Sequence, residues 1–113
     1  MLTQPFLSRL ILEAQQLWAL EPIALYCRTS DRAARARVAI FHIAYSAGCE
    51  PRHLCTRFGW PQIRKGYHVP TIERRHEEWL ADEEYRQHFT SLEAYARQLC
   101  EGAVAQGHWR ADS

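Results

Sequence analysis

The stretch RTSDRAARARVAIFHIAYSAGCEPRHLCTRFG, residues 28–59, decides the fold of this 113-residue chain. Ser30-Asp31 is an N-cap pair, because short oxygen-bearing side chains accept from the unpaired backbone N–H groups of a first helical turn. From there Val38, Ala39, Phe41, His42 and Tyr45 recur at the three-and-four spacing of a helix. Gly48 is placed to stop that helix, since glycine takes the left-handed conformation of a C-cap without a Cβ clash. Glu50-Pro51 opens a short helix through Leu54 and Cys55, and Phe58-Gly59 closes it.

Outward from that centre the chain also reads as helix. Thr3 caps a first helix with Pro5 in its opening turn, and Phe6, Leu7, Leu10, Ile11, Ala14, Leu17 and Trp18 form its apolar stripe. Glu21-Pro22 starts a short helical turn bearing Ile23, Leu25 and Tyr26. Downstream, Trp60-Pro61 begins a segment over residues 62–68 that contains Gly66, and Pro70 starts a helix through Ile72 and Trp79. Asp82 caps a long last helix with Tyr85, Phe89, Leu92, Tyr95, Ala96 and Leu99 on one face. Trp18 and Trp79, both on apolar stripes, are expected in the core. No segment alternates as a strand would. The expectation is an all-α, compact helical bundle of five to seven helices, a single domain over residues 1–113. Residues 10–99 form its core, with an embedded helix-turn-helix, and residues 102–113 a flexible tail.

Composition narrows the class. An apolar fraction of 47% with 24% charged residues is ordinary for a globular fold and too apolar for a disordered chain. No apolar run approaches the ~20 residues of a spanning helix. The first residues, MLTQPFLSRLILEAQQ, lack a basic leader and carry Arg9 and Glu13 within the apolar stretch, unlike a secretory signal. The four cysteines (Cys27, Cys49, Cys55, Cys100) form no CxxC pair and no disulfide framework, so reduced thiols and a cytoplasmic location are expected. Cys49, His53 and Cys55, with His68 or Cys27 as a fourth ligand, match no structural zinc spacing. No cysteine–histidine pair carries an orienting group beside it. The expectation is therefore no metal, no cofactor and no catalysis. The acids Glu77, Glu78, Asp82, Glu83 and Glu84 read as a solvated helix face and N-cap charge.

The net charge of +1 hides a split. Residues 28–75 hold ten bases (Arg28, Arg32, Arg35, Arg37, Arg52, Arg57, Arg64, Lys65, Arg74, Arg75) against three acids (Asp31, Glu50, Glu73), a net +7. The remainder carries four bases against ten acids, a net −6. Nine of the ten central bases are arginines, whose planar donor fork suits phosphates and guanine edges. Within that centre, a short helix over 51–57, a turn at Gly59 and a second short helix over 61–68 have the form of a helix-turn-helix. In that motif the second helix enters the major groove and the first crosses the backbone. Arg52 and Arg57 fall on the first helix; Gln62, Arg64, Lys65 and His68 fall on the second.

On these residues the chain resembles the C-terminal DNA-binding domain of the bacterial replication initiator DnaA. That family has a basic loop, a helix of the form A-R-x-x-A-M-Y-L, a glycine-containing turn, a short helix and Phe-Gly. Here Ala39-Ile40-Phe41 stands at Ala-Met-Tyr, Gly48 at the turn, Leu54 at the buried position of the short helix, and Phe58-Gly59 at Phe-Gly. Leu17, Ile23 and Leu25 fit the small helix before the basic loop, and Ile72-Glu73 with the run to Leu99 fits the closing helices. The resemblance spans residues 10–99, lacks an ATPase module, and implies an all-α fold of the Trp-repressor type. The family motif Gly-Arg-Asp-His-Thr-Thr-Val is replaced by Trp60-Pro61-Gln62-Ile63-Arg64-Lys65-Gly66. Its threonines and histidine are gone, so the initiator's own DNA sequence does not carry over.

Together these readings give an expected function: a small double-stranded DNA-binding protein regulating transcription or replication. Arg28, Arg32, Arg35, Arg52 and Arg57 would hold phosphates, and Gln62, Arg64, Lys65 and His68 would meet base edges. The alternative is a protein-interaction module on the same fold, its rebuilt reading helix binding or inhibiting a protein through Trp60 or the acidic helix. Tyr67 is a candidate for stacking on a base or for packing under Pro70. A homodimer is compatible with either use, because helix-turn-helix proteins often read two half-sites.

Overall fold

A computed structural model describes residues 4–21, 31–49 and 69–105. Four helices fill most of these spans: α1 (Gln4–Leu17), α2 (Asp31–Ser46), α3 (Val69–Trp79) and α4 (Glu83–Ala105). No strand occurs among the described residues, and the fold is an all-α bundle. The expected short helices over 22–26, 51–57 and 61–68, and with them the helix-turn-helix, lie outside the described residues.

The core arises from the apolar spacing. Phe6, Leu7, Leu10, Ile11, Ala14 and Trp18 of the first stripe are all buried, as are Tyr85, Phe89, Leu92 and Ala96 of the last. α1 packs on α4 and α2, and α2 also packs on α3 and α4. That central position explains the composition of α2. Ala33, Ala36, Ala39 and Ala44 are fully buried, and alanine's small side chain lets neighbouring helices approach. Its burial extends round the helix and includes Arg37, so α2 is less amphipathic than a surface helix. Tyr45, at the end of the sequence-derived stripe, stays exposed and stacks on Phe41 with ring centroids 6.4 Å apart.

α1 and α2 end on the same closure. After α2, Gly48 N–H donates to the Tyr45 carbonyl at 3.0 Å and Cys49 N–H to Ala44 at 2.9 Å, with Gly48 at φ 107°. This is a Schellman motif, and the positive φ is why glycine stands there. After α1, Ala19 N–H donates to Gln16 and Leu20 N–H to Gln15, with Ala19 at φ 52°. Here a Cβ occupies the left-handed region, at a steric cost of roughly 1–2 kcal/mol. That stop has no glycine to announce it in the sequence.

The turn Leu80–Asp82 joins α3 to α4. Asp82 caps α4 as the sequence implies: the backbone N–H of Tyr85 donates to its Oδ2 at 3.2 Å. α4 continues through Gly102 to Ala105, beyond the residue where the sequence places the start of the tail. Among the described residues no helix is long and apolar enough to cross a membrane.

Candidate functional site

Of the nine candidate DNA-contacting residues, the described structure includes Arg32 and Arg35. Arg28, Arg52, Arg57, Gln62, Arg64, Lys65 and His68 lie outside the described residues, as does Trp60. Arg32 is exposed in the first turn of α2. Arg35, one turn further on, is engaged within the fold. Its Nη1 donates to Asp82 Oδ2 at 2.8 Å, and its guanidinium lies 5.1 Å from the centre of the Trp79 ring. The two arginines share an open recess of about 470 Å³ with Leu20, Asp31, Asp82 and Glu84. Three carboxylates therefore face two guanidinium groups, and the recess is electrostatically mixed.

Asp82 does two things at once. Its carboxylate caps α4 and holds Arg35 of α2, so it ties the α3–α4 turn to the central helix. The pair is partly exposed, with side-chain exposures of 28% for Arg35 and 47% for Asp82, so its Coulombic share is about 0–1 kcal/mol. The cap adds about 1 kcal/mol. Asp82→Ala is therefore expected to cost roughly 1–2 kcal/mol in urea unfolding. Asp82→Asn keeps a capping oxygen and is expected to recover most of that loss. Equal losses in both variants would mean that the charge, rather than the cap, holds the turn.

A second polar group lies deeper, where α2, α3 and α4 meet. His42 Nδ1–H donates to the Glu73 carboxylate. The His42 and His76 rings stack with centroids 3.9 Å apart and an angle of 17° between them. His76, only 4% exposed, places its Nδ1 2.9 Å from the Tyr85 hydroxyl. Phe89 closes the cluster, its ring 4.4 Å from His76 and 5.5 Å from His42. Burial, and then the neighbouring His42, lower the His76 pKa below its ordinary value of 6.5, against smaller opposing effects of Glu73 and Glu77. Burial pushes the Tyr85 phenol well above its ordinary range. Tyr85 therefore keeps its hydroxyl proton, and the neutral His76 tautomer with its own proton on Nε2 accepts the hydrogen bond at Nδ1.

The sequence reading missed this cluster. The available signal was positional: His42 lies four residues after Val38 and His76 four after Ile72, so each imidazole sits where an apolar residue would continue a buried stripe. That pattern marks a buried histidine but does not pair two of them across helices.

The remaining chemistry is quiet. Burial pushes the Cys49 thiol up to about 11, with nearby Cys100 adding to the effect. Burial raises Cys100 as well, so neither offers a thiolate at neutral pH. Among the described residues no group of three or more His, Cys, Asp or Glu side chains is arranged to hold a metal ion. Trp18 Nε1 is buried without a hydrogen-bond acceptor among the described residues. The indole instead meets the His88 ring edge-on at 4.9 Å and Tyr85 at 6.2 Å, a packing role. No protein-family model, curated protein or solved structure matches the chain.

Proposed function

We propose that the chain is a small double-stranded DNA-binding protein of the helix-turn-helix kind, acting in the control of transcription or replication. The observation that carries this reading is the segregation of charge: +7 over residues 28–75 against −6 elsewhere. Arginine supplies nearly all of that positive charge, and arginine pairs with phosphate through two parallel N–H donors. The resemblance of residues 10–99 to the DnaA C-terminal domain supports the same reading, as does the exposure of Arg32 at the start of α2. In this scheme Arg28, Arg32, Arg52 and Arg57 hold the backbone. Gln62, Arg64, Lys65 and His68 meet base edges in the major groove.

The test is a fluorescence-anisotropy titration of the folded protein against pooled genomic duplexes at two salt concentrations. Binding that weakens with salt is the expected result. A folded protein that binds no duplex at either concentration would overturn the proposal.

One observation favours a second reading. The Arg35–Asp82 pair withdraws an arginine of the basic centre from phosphate, and Glu84 and Asp31 line the same recess. A face of mixed charge suits a protein surface better than a polyanion. On that reading Trp60 and the acids of the α3–α4 region dock a protein partner.

A further inference from the structure

We propose that the stacked His42–His76 pair is a proton-operated latch that fastens α3 to α2 and α4. α3 buries fewer side chains than α2: Ile72 and His76 are buried, and Val69 and Trp79 pack partly buried against the core. His76 is thus both an apolar anchor and half of a polar joint. His42 reaches it from α2, Glu73 holds His42 from α3 itself, and Tyr85 holds His76 from α4.

The joint works in one protonation state. Two neutral imidazoles stack favourably at 3.9 Å; two imidazolium ions at that distance repel. Hydrogen bonding points the same way. With its proton on Nε2, neutral His76 accepts the Tyr85 O–H at Nδ1. A proton on Nδ1 reverses that bond, so that the imidazolium donates to the phenol oxygen, and the buried phenol hydrogen is left without an acceptor, at a desolvation cost. The charged groups acting on the pair are Glu73 and Glu77 of α3, which favour protonation, and Arg35 of α2, which acts on Tyr85. α4 contributes Tyr85 and the apolar Phe89, and the turn after α1 contributes Trp18 against Tyr85.

These contacts set the direction of the pH effect. The folded protein holds the His76 proton less tightly than the unfolded chain, whose value is 6.5. Between 6.5 and the lower folded value the unfolded chain binds more protons, so stability is complete above that window and falls as pH drops through it. α3 is the element that loosens, because it places one buried apolar side chain, Ile72, in the shared core, whereas α1, α2 and α4 each place several there. α3 also comes directly after residues 50–68 in the sequence, the segment proposed to bind DNA. The latch itself does not depend on that proposal.

The experiment uses the whole chain, with amide hydrogen exchange, corrected for intrinsic rates, at pH 7.5 and 5.5. Histidine ring protons are monitored by NMR across the same range. α3 is expected to lose protection at the lower pH while α1 and α4 keep theirs, and His76 is expected to titrate below ordinary histidine. In His42→Gln the second charge is gone, so the His76 midpoint should rise and the acid-induced loss in α3 should shrink. Uniform loss across all helices, or the same loss in His42→Gln as in the wild type, overturns the latch. Should His42→Gln fail to fold, the wild-type titration decides alone: a His76 midpoint at or above the ordinary value overturns it.

Discussion

Replacing Phe41 by alanine is expected to remove about 3–5 kcal/mol of stability. The side chain is fully buried in α2, the helix that touches the other three described helices, so the cavity would open at the centre of the bundle. Its neighbours in sequence, Ala39 and Ile40, are themselves fully buried, and α2 is pinned at its far end by the Gly48 closure. The site therefore has little freedom to collapse, which places the loss towards the upper part of that range. A domain of this size has roughly 5–15 kcal/mol in total, so the variant stands near the edge of folding. Phe41→Leu retains most of the volume and is expected to cost under about 1.5 kcal/mol. Urea unfolding measures both: the midpoint should fall while the slope with denaturant stays constant. An alanine variant that loses less than about 1 kcal/mol would mean that α2 is not the packed centre, since ordinary surface changes fall in that range.

Phe41 was legible as a core residue because helical spacing alone puts it on an apolar stripe. The same holds for Leu10 and Ala14 of α1 and for Leu92 and Ala96 of α4, where periodicity and burial coincide. Caps were legible for a related reason: Asp82 and Gly48 act on backbone groups three to five residues away, within reach of a local rule. What the sequence did not disclose depends on contacts between distant residues. Arg35 reads as a free base until Asp82, 47 residues away, is brought against it. His42 and Glu73 are 31 residues apart, and nothing in either local pattern links them. Arg37 belongs to the same class, a base in the charged centre that the packing of α2 buries. Ala19 fails differently. Its stop is a complete Schellman closure made without the glycine that would mark it. The packing of Trp18 and Leu20 on the core, either side of it, holds Ala19 in the left-handed region.

The Arg35–Asp82 pair also sets the magnitude expected of DNA binding. Each phosphate neutralised by a cation releases counterions and contributes about −0.9 to the slope of log affinity against log salt. With Arg28, Arg32, Arg52 and Arg57 on phosphates and Arg35 held by Asp82, four contacts give a slope of about −3.6. Affinity is then expected to fall on the order of 10²-fold between 50 and 200 mM salt. Asp82→Asn removes the competing carboxylate while leaving an oxygen to cap α4, so Arg35 becomes available and the slope should steepen by about 0.9. Base reading separates from this term. Arg64→Ala is expected to cost about 1–3 kcal/mol on a selected duplex, and Trp60→Ala should leave duplex affinity unchanged. Anisotropy titrations of the four proteins over a salt series read all of these quantities. A slope near zero in the wild type would remove phosphate contact from the reading. Function lost in a cellular assay through Trp60→Ala alone, with Arg64→Ala and Lys65→Ala silent, would transfer the basic centre to the protein-docking reading. The electrostatic argument then has a different object: arginines steer and orient a protein partner, and an aromatic anchor buried on binding supplies the affinity.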